Sequence, residues 1–243
     1  MEIKKVLAVS ALVITIFLFA TILLIGSIFN SKREDYINSQ FKDMQNEFNT
    51  METLSIMAES YDNKMACIAF EEQLKDLDKN IWKLGEKLER YKAASEEFYE
   101  DKYYKEQKKV FNENQLYYYL LMKKMVERCN ISKSTVLYFY RNSADCDKCD
   151  DQSFILSDIN RRDDEDGKKE VAIFSFDMDL NLSTLNAMVR YYDINQYPCV
   201  VIDEEKYCGI RGEKFIMQKI CENKSDLYIC NIYKEKFDDF NNY

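Results

Sequence analysis

The chain has 243 residues, with 34 Lys and Arg against 43 Asp and Glu, a formal net charge of -9 and no histidine. The missing histidine excludes Ser-His-Asp and Cys-His hydrolases, histidine zinc sites and imidazole acid–base chemistry. The five glycines form no phosphate-binding cluster, and the acidic balance argues against a nucleic-acid partner. Cysteine, with eight residues, is the remaining chemically distinctive side chain.

An apolar run without any charged residue occupies residues 6–29. As a helix with a rise of ~1.5 Å per residue it spans roughly 36 Å, which is enough to cross the hydrocarbon core of a bilayer. The run therefore predicts a transmembrane helix over 6–29, after a short cytoplasmic tail over 1–5. A cleaved signal peptide is the competing interpretation, but its apolar region is normally shorter, and no A-x-A-like cleavage site precedes Ser31.

The orientation of this helix is argued from the rest of the chain, because the basic residues on its two sides are nearly balanced in number. An even set of eight cysteines suits an oxidising compartment. Asn130, Asn181 and Asn223 each begin an Asn-X-Ser triplet and are candidate N-glycosylation sites. We therefore predict a single-pass protein of the cell membrane, with a cytoplasmic N-terminus and an extracytoplasmic body.

Residues 31–129 form a second region, dense in Glu and Lys, with no proline and one glycine, Gly85. Apolar residues recur at steps of three and four, which predicts a coiled-coil-like helical stalk. The two parts of this seam and a third stripe are Ile37, Phe41, Met44, Phe48 and Met51; Phe70, Leu74, Leu77, Ile81, Leu84, Leu88 and Tyr91; and Phe111, Tyr118, Leu121 and Met125. A spacer and a homodimerisation surface are equally compatible with this pattern.

Two cysteines bracket most of the helical region. In one continuous helix, Cys67 and Cys129 would be ~93 Å apart, far beyond disulfide reach. The midpoint between them is residue 98, and a helix break is expected at 61–63, with a second, weaker one at 95–101. An antiparallel hairpin turning near residue 98 would bring the two thiols together, so we predict this hairpin and a disulfide. The alternative is two unpaired buried thiols.

From residue 132 the pattern changes to alternating strands and helices. Four strands are predicted at 135–140, 171–176, 199–202 and 207–210, with helices from Cys146, after a capping Ser183 and after Gly212, an acidic loop at 163–167 and a turn at 203–206. This order predicts an α/β fold with a mixed sheet flanked by helices. The C-terminal extension 223–243 is expected either to pack as a short helix or to stay mobile.

Two features of this region carry a resemblance. Cys146-Asp147-Lys148-Cys149 follows the first predicted strand, and the single proline, Pro198, directly precedes the third. Residues 132–222 thus resemble a thioredoxin-like domain. The resemblance implies a cis bond before Pro198, substrate binding along Tyr197 and Pro198, and thiol–disulfide exchange by Cys146 and Cys149 as catalytic residues. It further implies no cofactor or metal, protein thiols or disulfides as substrates, and a membrane-bound or soluble redox partner.

The surroundings of the motif depart from that family. Asp145 and Asp147 replace the usual tryptophan and glycine-proline neighbours, and carboxylates disfavour a thiolate, whereas Lys148 favours it. We therefore expect an exposed Cys146 whose pKa is less lowered than in strongly oxidising family members. The buried carboxylate that thioredoxins carry six residues before the first cysteine is matched here by Tyr140.

Three interpretations of the cysteines stay open. The motif can exchange disulfides, can hold a structural disulfide in a redox-inactive interaction module, or can bind a metal together with Cys199 and Cys208. In the non-metal interpretations, Cys199 and Cys208 would face each other across the last hairpin. Cys221 and Cys230 would then tie the last helix of the sheet region to the C-terminal extension.

Overall fold

The computed structural model describes residues 2–60, 64–65, 67–68, 70–71, 81–86, 88, 102–142, 144–165 and 169–240. In chain order its helices are α1 (Glu2–Ser60), α2 (Lys102–Cys129), α3 (Cys149–Glu165), α4 (Ser183–Tyr191), α5 (Glu213–Asn223) and α6 (Tyr228–Phe240), and its strands are β1 (Ser134–Tyr140), β2 (Val171–Asp177), β3 (Cys199–Ile202) and β4 (Glu205–Cys208). Residues 81–86 are helical as well. The chain divides into two units, Met1–Glu47 and Phe48–Tyr243.

The N-terminal part of α1 is the apolar helix that the sequence predicts. Within the described parts of the chain, Ser10–Ile28 is the one stretch long and apolar enough to cross a membrane. Two of its hydroxyl groups are satisfied inside the helix, because Thr15 donates to the Ala11 carbonyl at 2.9 Å and Thr21 to the Leu18 carbonyl at 2.8 Å. Hydrogen bonds within a helix reduce the number of polar groups that require water.

The sheet has the strand order β2-β1-β3-β4 and is mixed. β1 runs parallel to β2 and antiparallel to β3, and β3 is antiparallel to β4. This confirms the predicted α/β fold with a mixed sheet and flanking helices. The predicted bounds of the last strand were wrong. β4 begins at Glu205, because the connection to β3 is a two-residue turn in which Asp203 and Glu204 have φ of 42° and 79°.

Side chains alternate between the two faces of the sheet, and each face is covered. On one face, Val136 and Tyr138 of β1 pack in a cluster with residues of α3, α5 and α6. On the other face, Phe139 of β1 contacts Phe176 of β2, with ring centroids 5.4 Å apart. Each of these buried side chains contributes roughly 1.5–3 kcal/mol through the hydrophobic effect.

The outer edge of the sheet is closed by side chains of α2. Because β2 is an edge strand, some of its N–H groups have no strand partner. The side-chain oxygen of Asn112 accepts the Asp177 N–H at 2.9 Å, and that of Gln115 accepts the Ser175 N–H at 3.1 Å. Lys108 adds an ion pair to Asp177 at 2.9 Å, with both side chains buried. Alternating β2 residues are thus held by successive turns of one helix.

A second group of contacts joins α2 to the far end of the sheet. Glu204, in the β3–β4 turn, accepts hydrogen bonds from Tyr119 at 3.0 Å, Lys123 at 2.7 Å and Tyr192 at 2.9 Å. Together with the edge contacts, these bonds attach α2 at two separate points and fix its direction across the sheet.

The predicted apolar stripes are buried wherever their side chains are described. Those residues are Phe70, Ile81, Leu84, Leu88, Phe111, Tyr118, Leu121 and Met125. Gly85 permits a close approach to α2, since an added Cβ would lie 3.0 Å from Cζ of Phe111. The predicted helix breaks at 61–63 and 95–101, and the remaining seam side chains, lie outside what the structure describes.

Cys67 and Cys129 form a disulfide with a Cα–Cα distance of 5.5 Å. This distance excludes a straight helix from one cysteine to the other. The C-terminal extension also contains a helix, α6, rather than only mobile chain. The position of Ser183 differs from the sequence expectation, because Ser183 is the first residue of α4. The N-cap is Leu182, and it makes no side-chain capping bond.

The expected acidic loop at 163–167 was wrong in part, because α3 continues to Glu165. The cause is Asp163, which is buried and accepts the backbone N–H groups of Glu170 at 3.1 Å and Val171 at 2.8 Å. Burial raises the pKa of Asp163 to about 6, and the two backbone hydrogen bonds only partly oppose this rise. Asp163 therefore fastens the start of β2 to the end of α3 while its own charge is disfavoured.

Asn112→Leu should lower the free energy of unfolding by about 1–3 kcal/mol, because it leaves the buried Asp177 N–H without an acceptor. Urea unfolding followed by near-ultraviolet circular dichroism measures this change. Glu113→Leu, on the exposed side of the same helix turn, is the control and should have little effect. Equal stability of the two variants would show that the Asn112 hydrogen bond does not secure the strand edge.

Asp163→Asn should change how stability depends on pH. Because the folded-state pKa is raised above the ordinary value of 3.8 to about 6, the carboxyl contributes stability that is complete below its unfolded pKa and is lost as pH rises through the folded pKa. The wild type should thus lose about 2–3 kcal/mol relative to Asp163→Asn across this window. Asp151→Asn, exposed on the same helix, should leave the pH profile unchanged, and parallel profiles for the wild type and Asp163→Asn would contradict the assignment.

Candidate functional site

The Cys146–Cys149 disulfide lies between the end of β1 and the start of α3. The two Cα atoms are 5.4 Å apart, and the Cys149 N–H donates to the Cys146 carbonyl at 3.2 Å. Cys149 is the first residue of α3, whereas Cys146 lies in the preceding turn. The positive end of the helix dipole is thus closest to Cys149.

Both sulfurs are covered in this disulfide form. Cys146 is 6% exposed and Cys149 is 1% exposed. The sequence predicted an exposed first cysteine, and that expectation was wrong for the oxidised structure. The reason is local: the turn before α3 folds back toward the helix, as the hydrogen bond between the two cysteine backbones shows.

The Tyr197–Pro198 peptide bond is cis. It directly precedes β3, whose first residue, Cys199, is opposite Phe139 near the end of β1. Since β1 and β3 are neighbouring antiparallel strands, the last residue of β1 and the first residue of β3 lie at the same end of the sheet. Pro198 and the Cys146–Cys149 disulfide therefore lie at that end.

Arg141, just after β1, connects the loop that leads to Cys146 with the segment before β3, at this end of the sheet. Its guanidinium carbon lies 5.1 Å from the centroid of the Tyr197 ring, a cation–π distance. The same side chain is 4.0 Å from a carboxylate oxygen of Asp179, beyond the end of β2. Asp179 also accepts the Asn142 N–H at 2.7 Å, so the loop that leads to Cys146 is held from its outer side.

Gln152 holds the first turn of α3 from the opposite side. Its side chain is fully buried, accepts the Arg211 N–H at 2.7 Å and donates to the Arg211 carbonyl at 3.2 Å. Arg211 in turn donates to the Cys208 carbonyl at 2.8 Å. The carboxamide thereby joins the helix that begins with Cys149 to the loop after β4. Sequence reasoning missed Gln152, because nothing in its local pattern distinguishes it from a surface glutamine.

Tyr138 lies beneath the disulfide. Its hydroxyl donates to the Cys149 carbonyl at 2.5 Å. Burial, and then the negative charge of Asp150, raise the pKa of Tyr138, so the hydroxyl remains a donor at neutral pH. Tyr140, six residues before Cys146, stacks on Tyr138 with ring centroids 5.2 Å apart. It thus supplies an aromatic surface and no carboxylate.

Lys148 is partnered by a carboxylate. Its Nζ lies 3.5 Å from Asp151, and both side chains are more than half exposed. An exposed pair of this kind is weak, but it places a negative charge close to the one basic residue inside the motif.

The other cysteines are also paired. Cys199 and Cys208 are directly opposite residues of β3 and β4 and form a disulfide. Cys221 and Cys230 form one that joins α5 to α6, with a Cα–Cα distance of 5.6 Å. In the described part of the chain, no group of three or more Cys, Asp or Glu residues is arranged to hold a metal ion.

The three Asn-X-Ser asparagines are exposed. Asn130 follows α2 with φ of 52°, Asn181 precedes α4 with φ of 50°, and Asn223 is the last residue of α5. Their exposure meets the steric requirement for glycosylation, which stays a prediction.

No protein-family model matches the chain, and no curated protein matches its sequence. The functional argument therefore depends on the geometry described above.

Gln152→Leu should lower the free energy of unfolding by about 1–3 kcal/mol, because the partly buried N–H and C=O of Arg211 both lose their partner. It should also speed reduction of the Cys146–Cys149 disulfide by dithiothreitol, followed by alkylation and mass spectrometry, since the adjoining loop is released. Gln218→Leu, exposed on α5, should change neither. An unchanged reduction rate in Gln152→Leu would show that the loop does not shield the disulfide.

Proposed function

We propose that this protein is a thiol–disulfide oxidoreductase whose C-terminal region is a thioredoxin-like domain. The observation that carries the proposal is the Cys146–Cys149 disulfide at the β1–α3 junction, at the same end of the sheet as the cis bond before Pro198. The order of strands and helices supports it, as does Gly209 after β4, whose φ of 78° favours glycine.

The exchange would proceed in two steps. The Cys146 thiolate attacks one sulfur of a substrate disulfide, forms a mixed disulfide and releases the first substrate thiolate. The Cys149 thiolate then attacks the Cys146 sulfur, which restores the intramolecular disulfide and releases the second substrate thiol. Two electrons pass to the substrate, and a redox partner with its own dithiol must reduce the pair again. The reverse sequence oxidises a substrate dithiol.

The surroundings of the two cysteines support a different task for each in the proposed exchange. Cys149 is fixed at the helix start by the Tyr138 hydrogen bond, which suits the resolving cysteine. Cys146 lies in the turn outside the helix, beside acidic side chains and a lysine already paired with Asp151. We therefore propose a Cys146 thiol whose pKa is only modestly lowered. Tyr197 and Pro198 would bind the substrate chain next to it.

The proposed site of action is outside the cytoplasm, with residues 6–29 in the cell membrane. All eight cysteines are in disulfides, a state that an oxidising compartment maintains. The exposed positions of Asn130, Asn181 and Asn223 agree with this placement. The helical region 31–129 would act as a spacer or as a homodimer contact.

A second function has one observation in its favour. With 6% and 1% of Cys146 and Cys149 exposed, the disulfide is as well covered as a structural one. The protein would then be a redox-inactive interaction module, in which the disulfide stabilises the loop and the surface near Pro198 holds a partner. Turnover separates the two functions.

Cys146→Ser should abolish reduction of insulin by the prereduced full-length protein, whereas the wild type should catalyse it. Cys149→Ser should instead accumulate a mixed disulfide with insulin, visible by non-reducing electrophoresis, because the resolving thiol is missing. The double variant Cys221→Ser/Cys230→Ser, which removes a disulfide elsewhere, is the control and should stay active. Wild-type activity no higher than that of Cys146→Ser would favour the interaction module.

A further inference from the structure

A cavity of about 530 Å³ lies directly beside Cys149, between helical residues 81–86, α2 and the start of α3. Its walls include the aromatic rings of Trp82, Phe111 and Tyr138. A second cavity of about 370 Å³ shares Trp82, Glu86 and Ser157 with it and continues along α3. Cavities of this size that combine aromatic side chains with hydrogen-bonding groups are typical of small-molecule sites.

The second cavity contains a buried polar group that the protein leaves unsatisfied. Asn160 is 3% exposed, and its side-chain oxygen has no hydrogen-bond partner. It lines the cavity one turn along α3 from Ser157, so the two side chains lie on the same face of the helix. A buried carbonyl oxygen without a donor is unfavourable, and a ligand O–H or N–H in the cavity would satisfy it.

Charged residues of both signs line the two cavities, with Glu86 and Asp150 among the anions and Lys83 among the cations. Several other charged residues of the lining have partners of their own. Lys108 pairs with Asp177 at 2.9 Å, and Arg161 pairs with Asp158. The Lys169 ammonium lies 5.5 Å from the centroid of the Trp82 ring, where it interacts with the π system. The walls therefore favour an uncharged ligand over a strong anion or cation.

We propose that the joined cavities bind an uncharged aromatic small molecule that carries a hydrogen-bond donor. Its ring lies between Trp82 and Ser157, and its hydroxyl or amide N–H donates to the Asn160 side-chain oxygen. The larger cavity leads from this ring to Cys149. The binding step involves no reaction at sulfur, so it does not depend on the proposed oxidoreductase activity.

Trp82 makes the site directly observable, because it is the single tryptophan of the chain. The test uses the full-length protein in phosphatidylcholine vesicles and two coumarin probes. One is 7-hydroxy-4-methylcoumarin, kept below the pKa of its hydroxyl, and the other is its 7-methoxy analogue, which has no donor. Energy transfer from Trp82 should saturate at one probe per chain, and the hydroxyl probe should bind about tenfold more tightly, as one additional hydrogen bond allows.

Three variants test the placement. Ser157→Phe fills the junction of the cavities from an exposed position and should weaken both probes at least about tenfold. Asn160→Leu keeps the side-chain size, removes the unsatisfied oxygen and should bind the two probes equally. Thr184→Phe adds the same ring at an exposed position of α4 and should bind like the wild type. It also controls for probe dissolved in the lipid.

Energy transfer that rises without saturation, or that is unchanged by Ser157→Phe while Thr184→Phe also matches the wild type, would overturn the proposal. A preference for the hydroxyl probe that persists in Asn160→Leu would overturn the role of Asn160. Circular dichroism of each variant establishes that it is folded. Binding by a Cys146→Ser variant, which cannot catalyse exchange, would support this site even if the proposed activity were absent.

Discussion

The outer edge of β2 requires hydrogen-bond acceptors, and the position of α2 follows from that requirement. Asn112 and Gln115 accept the N–H groups of alternating β2 residues, so the helix can lie against the strand in only one register. This register places Lys108 on the buried Asp177 carboxylate and Phe111 at the wall of the cavity beside Cys149. The helical region is therefore part of the site, although it contributes no cysteine to it.

The loop that carries the Cys146–Cys149 disulfide is held from several directions. Tyr138 supports the Cys149 carbonyl from below, and Gln152 joins the same helix turn to the loop after β4. Arg141 connects the outer side of the loop to Tyr197. These contacts come from β1, α3 and the segment before β3. A shift in the packing of the sheet would therefore change the positions of the two sulfur atoms. The geometry of the pair is thus a property of the whole domain.

Local residue patterns predicted the first three strands, because runs of β-branched and aromatic residues are both strand-forming and buried there. They failed where a residue acts through a distant partner. β4 begins with the exposed polar residues Glu205 and Lys206, which no apolar alternation marks. The helical end of α3 depends on Asp163 meeting the backbone of β2. The role of Gln152 likewise arises from tertiary packing, because its partner Arg211 is distant in the sequence.

The Cys67–Cys129 disulfide closes a covalent ring of chain with a sequence separation of 62 residues. A protease that cuts once inside that ring does not separate the sheet domain from the N-terminal helix, because the sulfur bridge still connects the two fragments. Separation of the two fragments after such a cut needs a second event, reduction of the bridge. Within the ring, the disulfide thus makes separation of the sheet region depend on both proteolysis and reduction, which are chemically different events.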